Sequence, residues 1–193
     1  MAKSIDLLLL LFGSFLCLHI SNSSFYVIQA QTEATNLPEQ QRAQIRTIYT
    51  QEIGVREKSN KNDGERVGEY LKYTGLNEGY AWCAAFVSWS FGQAGLKEPK
   101  TAWSPSLFPN KRIIWRKNQN KPIPQAGDVF GIYYSNLKRI AHAGFVDEWG
   151  DKYVITVEGN TNDANSREGD GVYRKRRPIS SIFQVSDWIT PLK

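Results

Sequence analysis

Trp82-Cys83-Ala84-Ala85-Phe86-Val87-Ser88-Trp89-Ser90-Phe91, stopped by Gly95, reads as a buried helix with Cys83 in its first turn. Its small positions Ala84, Ala85, Ser88 and Gly92 let a helix approach a sheet closely. Upstream, Ala43, Ile45, Ile48, Tyr49 and Ile53 recur at helical intervals over 39–57, with Asn36 as a candidate cap. A second helix is expected over 65–74, with Val67, Tyr70 and Leu71 on one face and Gly75 as its stop. Downstream the chain changes character. Residues 129–134, 141–146 and 153–160 have the β-branched and aromatic content of strands, Gly150-Asp151 makes a hairpin turn, and 171–176 supplies a fourth strand. The loop over 100–109 is aromatic, and a short helix is expected through Ile113-Ile114-Trp115. Helices first and a meandering antiparallel sheet afterwards define an α+β domain.

The N-terminus has the pattern of a signal peptide over 1–30. Lys3 is a short positive region, Leu7 to Phe12 open an apolar stretch that ends near Ile20, and Ala30 precedes a cleavage point. That stretch is short of the roughly 20 apolar residues of a membrane span, and Phe15-Leu16 before Cys17 are too bulky for a lipoprotein acylation site. The expectation is an exported protein, periplasmic or extracellular, without a stable membrane span after cleavage, with retention of the segment as a membrane anchor as the alternative. Residues 31–38 read as a flexible lead and 39–193 as one domain large enough to bury a core. Lys3 and Asp6 cancel, so the net charge of +5 survives cleavage. Such a charge suits an anionic polymer such as cell wall, but also nucleic acid or a membrane surface. Six Trp, nine Tyr and nine Phe exclude a disordered chain.

Beyond the signal, Cys83 is the one cysteine and His142 the one histidine. A lone exported thiol cannot form an intramolecular disulfide and is open to oxidation, so its retention points to chemistry. A cysteine nucleophile needs a lowered pKa, a base, and a group that orients the base. A helix start supplies the first through its positive dipole end, and its free N–H groups suit a tetrahedral oxyanion. His142, beside the small Ala141, Ala143 and Gly144, is uncrowded enough to face a cleft. Glu158 follows near the end of the next strand and can hold the imidazole tautomer and its cation. Asn160, two residues on, shares that face of an extended strand and can orient His142 instead, or contact substrate. Each residue alone also suits a structural part: a core thiol, a packed histidine, a strand-ending carboxylate. The ordered set of nucleophile, base and orienter favours chemistry.

Trp82 to Trp89, Ala126-Gly127-Asp128-Val129, His142-Ala143-Gly144-Phe145-Val146 and Glu158-Gly159-Asn160 resemble the motifs of the cysteine, histidine-dependent amidohydrolase/peptidase (CHAP) family, over a motif-bearing core of about 64–188. The resemblance implies a papain-like α+β fold and hydrolysis of amide bonds in peptidoglycan, by an endopeptidase or an N-acetylmuramoyl-L-alanine amidase. It makes Cys83 the nucleophile, His142 the base, Glu158 the third member and Asn160 an accessory polar residue. Trp82 stands where many relatives have a polar residue such as glutamine, which leaves Tyr80 or Asn77 as candidates for the second oxyanion donor. The rival readings are a non-catalytic wall-binding module of the same fold, and a cysteine amidase acting on a non-wall amide such as a glutathionyl-polyamine conjugate.

Arg174-Lys175-Arg176-Arg177 suits a solvated strand edge better than a nucleic-acid site. The aromatic loop around Trp103 and Phe108 fits a substrate groove or packing over the sheet equally well. One histidine and one cysteine cannot build a typical zinc site, and Asn162, Asp163, Asn165 and Asp170 do not follow EF-hand spacing. No Walker or dinucleotide glycine motif is present, and no cofactor is expected.

Overall fold

The computed structural model describes residues 22–119, 122–163 and 169–192. Most of the expected signal segment, 1–21, lies outside them. The chain divides into two compact units, Met1–Thr35 and Asn36–Lys193, and the second carries the site. Helix α1 spans Asn22–Gln51, α2 Glu65–Tyr73 and α3 Cys83–Gln93. The strands are β1 (Ile113–Arg116), β2 (Val129–Tyr134), β3 (Arg139–Trp149), β4 (Tyr153–Thr161), β5 (Gly171–Pro178) and β6 (Gln184–Ser186). They form one sheet in the order β1-β6-β2-β3-β4-β5 with every pairing antiparallel. The fold is α+β. Among the described residues no helix is long and apolar enough to cross a membrane.

Two expectations change here. Residues 31–38, expected as a flexible lead, are helical, and Pro38 lies inside α1. Proline removes one N–H, and the helix-forming neighbours Ala34, Glu39, Gln40 and Gln41 carry the helix past it. Residues Ile113-Ile114-Trp115 form an edge strand rather than a helix, paired with the three-residue β6. Trp115 is buried in a small cluster with Phe130, Val146, Val154, Ile182 and Val185, which an extended segment reaches and a helical turn does not.

The main core lies between the helices and the sheet. Residues Cys83 to Phe91 of α3 are all buried. Tyr49 stacks on Phe145 at 4.5 Å between ring centres, and Tyr70 meets Trp82, Phe86 and Trp89 at 5.0–5.5 Å. Aromatic pairs of this kind each add about 0.5–1.5 kcal/mol beyond the area they bury. The small residues of α3 have divided uses. A Cβ on Gly92 would lie 2.3 Å from the Tyr73 hydroxyl of α2. Ser88 donates to the Thr101 carbonyl at 2.8 Å and accepts from its N–H at 2.9 Å, pinning the aromatic loop to α3. The close approach to the sheet comes instead from β4. A Cβ on Gly159 would lie 2.6 Å from the Trp82 ring and 2.9 Å from Phe86.

Candidate active site

Cys83 is the first residue of α3, and no side chain caps that helix. The Phe86 N–H bonds the Trp82 carbonyl at 2.8 Å, completing the first helical turn. The N–H groups before it therefore have no acceptor within the helix, at the end of α3 that carries Cys83. Trp82 is fully buried and its indole N–H donates 2.8 Å to Glu57 Oε1. This side chain serves the core, which accounts for a tryptophan beside the cysteine.

His142 lies on β3 opposite Ile132, where the register with β2 slips and Ala141 bulges out. Its Nε2 is 2.8 Å from Glu158 Oε2, which leaves Nδ1 as the nitrogen available to the thiol. A Cβ on Gly144 would lie 2.8 Å from the Val157 carbonyl and 3.1 Å from Glu158 Cγ, so glycine there lets β3 and β4 close around this pair. Burial pushes the Cys83 thiol up, but the His142 imidazole, the Ser104 hydroxyl and the Ala143 N–H outweigh it and hold the thiol below its ordinary value. Burial likewise disfavours the His142 cation, yet Cys83 and Glu158 raise its pKa to about 9. Both shifts favour a thiolate–imidazolium pair.

Glu158 is fully buried. Arg177 grips it at both oxygens, Nε to Oε1 at 2.5 Å and Nη2 to Oε2 at 2.6 Å, and Thr156 Oγ1 donates to Oε1 at 2.5 Å. Burial opposes its charge, and Arg177 with His142 reverses that, holding the carboxyl well below the usual range. Reading Arg174 to Arg177 as a solvated edge was thus incomplete. Arg174 and Arg176 are exposed, whereas Arg177 completes the site and Lys175 reaches the Asn162 carbonyl.

Asn160 does not lie in extended register with Glu158. The β4–β5 pairing slips between Glu158 and Thr161, and Asn160 adopts a φ of 53°. Its Oδ1 accepts the Trp82 backbone N–H at 3.3 Å, and its Nδ2 donates to Asn62 Oδ1 at 3.0 Å. It holds the chain just before the cysteine, while Glu158 holds the imidazole.

Two residues outside the sequence-derived set belong here, Arg177 and Ser104. Ser104 Oγ is 3.4 Å from Cys83 Sγ in a buried contact. Its only cue in the sequence was a place in the aromatic loop. Trp103 is exposed and lines a cavity of about 520 Å³ beside Cys83, together with Tyr80, whereas Phe108 is buried in the core. Asn77 is exposed and does not line that cavity. A second cavity of about 610 Å³ reaches Cys83, His142 and Asn160 from the other side. Among the described residues no group of three or more His, Cys, Asp or Glu is placed to hold a metal.

A cysteine at a helix start, an imidazole fixed by a buried carboxylate and cavities on both sides can form and hydrolyse a thioester. The family model of the CHAP domain matches residues 75–160, a span that contains Cys83, His142, Glu158 and Asn160. No curated protein and no solved structure matches the chain.

Proposed function

Because residues 75–160 carry a CHAP domain, we propose that this protein is an exported cysteine hydrolase with papain-like chemistry that cleaves amide bonds in peptidoglycan peptides. The observation that carries the reading is the 2.8 Å His142–Glu158 contact beside a buried, acidified thiol at the start of α3. Cys83 attacks as thiolate, a C–S bond forms, and the carbonyl electron pair moves to oxygen, where N–H groups at the α3 start stabilise it. The C–N bond then breaks as the imidazolium of His142 gives its Nδ1 proton to the leaving amine. Water attacks the resulting thioester while His142 takes a water proton, and the thiolate leaves with release of the acid. Glu158 supports the imidazolium through Nε2.

Endopeptidase and amidase cleavage both fit this chemistry. Digestion of purified sacculi with mass spectrometry of the released fragments identifies the bond. Cys83→Ala should abolish release and leave the fold intact. Release at the normal rate by that variant would refute the assignment, and sacculus binding without hydrolysis by the native protein would favour the wall-binding module. Export belongs to the same proposal. Cleavage after Ala30 cuts within α1 and leaves the unit Asn36–Lys193 whole. N-terminal sequencing of protein from the producing cell should find Gln31, and an intact Met1 on cytoplasmic protein would overturn it.

A further inference from the structure

The two cavities that meet at the thiol share Ala81, Cys83, Arg139 and Ala141. Arg139 is thus the one charged residue common to both among the described residues. Elsewhere the lining adds Lys175, Arg176 and Arg177 on one side and Lys100 on the other, and no Asp or Glu lines either cavity among the described residues. Most of these cations are engaged. Arg177 holds Glu158, and Lys175 lies 3.5 Å from Asp163. The Arg176 guanidinium packs 3.5 Å over the Tyr153 ring, and the Lys100 ammonium lies 5.0 Å over Tyr73.

Arg139 differs. Its guanidinium stacks 4.2 Å over Trp103, which is itself exposed at 53%, and Nη1 donates 3.1 Å to the Ile140 carbonyl. No carboxylate among the described residues pairs with it. Stacking fixes the plane of the guanidinium and leaves the rest of its five-donor fork unspent. A planar fork of that kind matches a carboxylate bidentately. A neutral substrate would leave a half-buried charge at the centre of the cleft without a counter-ion.

We propose that Arg139, braced on Trp103, is a carboxylate-recognition residue, and that the cleft selects peptides bearing a free carboxylate on a residue next to the scissile amide. The inference rests on the amide-hydrolase reading and adds the substrate class. Five lining cations without an acid would also suit a polyphosphate backbone. Arg177 and Lys175 are held in ion pairs, and of the two guanidiniums that stack on a ring without a carboxylate, Arg139 and Arg176, Arg139 is the one that lines both cavities at the thiol, which favours one carboxylate over a phosphate track.

The test is binding to the full-length protein carrying Cys83→Ala, which separates recognition from turnover. The probes are an Ala-Glu-Lys-Ala tetrapeptide with both carboxylates free, the same peptide amidated at the Glu side chain, and the same peptide amidated at its C-terminus. Amidating the recognised carboxylate should weaken binding about tenfold, since a charge-assisted hydrogen-bond pair is lost, and which arm weakens identifies the carboxylate. Adding Arg139→Gln should remove the difference between acid and amide, while Arg139→Lys, a point charge, retains part of it. Equal binding of acid and amides by protein with Arg139 intact, or an acid preference that survives Arg139→Gln, would overturn the proposal. So would a twelve-nucleotide single strand that binds as tightly as the acid peptide. Thermal melts of both Arg139 variants establish that they are folded. Sacculus digestion by the native enzyme separates the two readings: hydrolysis without acid preference removes the carboxylate site alone, and an Arg139-dependent acid preference without hydrolysis removes the hydrolase reading alone.

Discussion

Glu158 and Asp147 are both buried carboxylates at bulges in adjacent strands, and each holds an arginine of β5. Arg174 lies opposite Val157 and Arg177 opposite Val154, so the two leave β5 on opposite faces. Asp147 Oδ1 accepts from Arg46 at 2.8 Å and from the Tyr49 hydroxyl at 3.0 Å. Arg174 sits 2.6 Å from Oδ2 as an ion pair without hydrogen-bond alignment. Burial opposes ionisation at both carboxylates, and the cationic partners hold both below the ordinary range. The difference lies in what else they touch. Asp147 raises the Arg46 guanidinium further, and burial with Asp147 drives the Tyr49 hydroxyl far upward, so the first stays charged and the second neutral, and that cluster ties α1 to the sheet. Glu158 gives one contact to an imidazole with a thiol behind it. The same ion-pair design becomes chemical when one partner titrates.

The sharpest way to break that contrast is Glu158→Gln. It keeps the shape and an acceptor but removes the charge that supports the imidazolium. Orienting carboxylates in serine-protease triads are worth on the order of 10⁴ in rate. A thiolate–imidazolium pair that exists before substrate arrives is less dependent, so we expect a loss of kcat/KM of roughly 10³. The pH at which Cys83 reacts with iodoacetamide should rise. An unshifted alkylation profile would show that the imidazolium does not depend on Glu158.

The pH dependence carries signs that the same variant tests. Glu158 has a depressed pKa, so its contribution to stability is present above its ordinary 4.5 and is lost as pH falls further toward its native value. His142 has a raised pKa, so its contribution is full below 6.5 and is lost as pH rises through about 9. Cys83 has a depressed pKa and gives up in the native state a proton that the unfolded thiol keeps, so over this range its linkage opposes that of His142. Native stability should therefore stay nearly level between those two pH values, and activity should fall with an alkaline limb near the upper one. Urea unfolding of Cys83→Ala should expose the His142 decline, and adding Glu158→Gln should shrink it; a decline of undiminished size would assign it to other groups.

Asp147→Asn supplies the matching control. Its arginine partners are about half exposed, at 50% for Arg46 and 47% for Arg174, so water can replace much of what they lose. A stability loss of about 1–2 kcal/mol is expected, with the alkylation profile unmoved. A shifted profile would mean that the two carboxylates are coupled through β5.

How much of this was legible in the sequence follows the same division. Cys83 and His142 could be found because scarce residue types stood on segments whose periodicity was clear, and Glu158 because it stands near the end of the strand after His142. Arg177 could not, because in a run of four cations nothing in the residue types distinguishes the one that turns inward. The bulge that puts Asn160 at a φ of 53° is equally silent, since strand alternation assumes that no residue is inserted. β1 and β6 have four and three residues, too few to show a period. Ser104 reaches the sulfur only because Ser88 pins the preceding loop, a tertiary fact with no local signature.

Asn160 offers the smallest effect and the finest cut between holding the base and holding the backbone. Its φ of 53° is tolerated by asparagine and free for glycine, but strained for alanine. Asn160→Gly therefore removes only the side chain, with its acceptor for the Trp82 N–H at 3.3 Å and its donation to Asn62 at 3.0 Å. Asn160→Ala removes the same contacts and adds the backbone strain. Both should lower kcat/KM by roughly fivefold, the worth of a neutral hydrogen bond near 1 kcal/mol. Asn160→Ala should unfold about 1 kcal/mol more easily than Asn160→Gly. Neither should move the pH of Cys83 alkylation, because neither touches the charge on His142. If Asn160→Gly moves that profile as far as Glu158→Gln does, the third member of the triad is Asn160, and the buried Glu158–Arg177 pair is a staple of the same kind as Asp147.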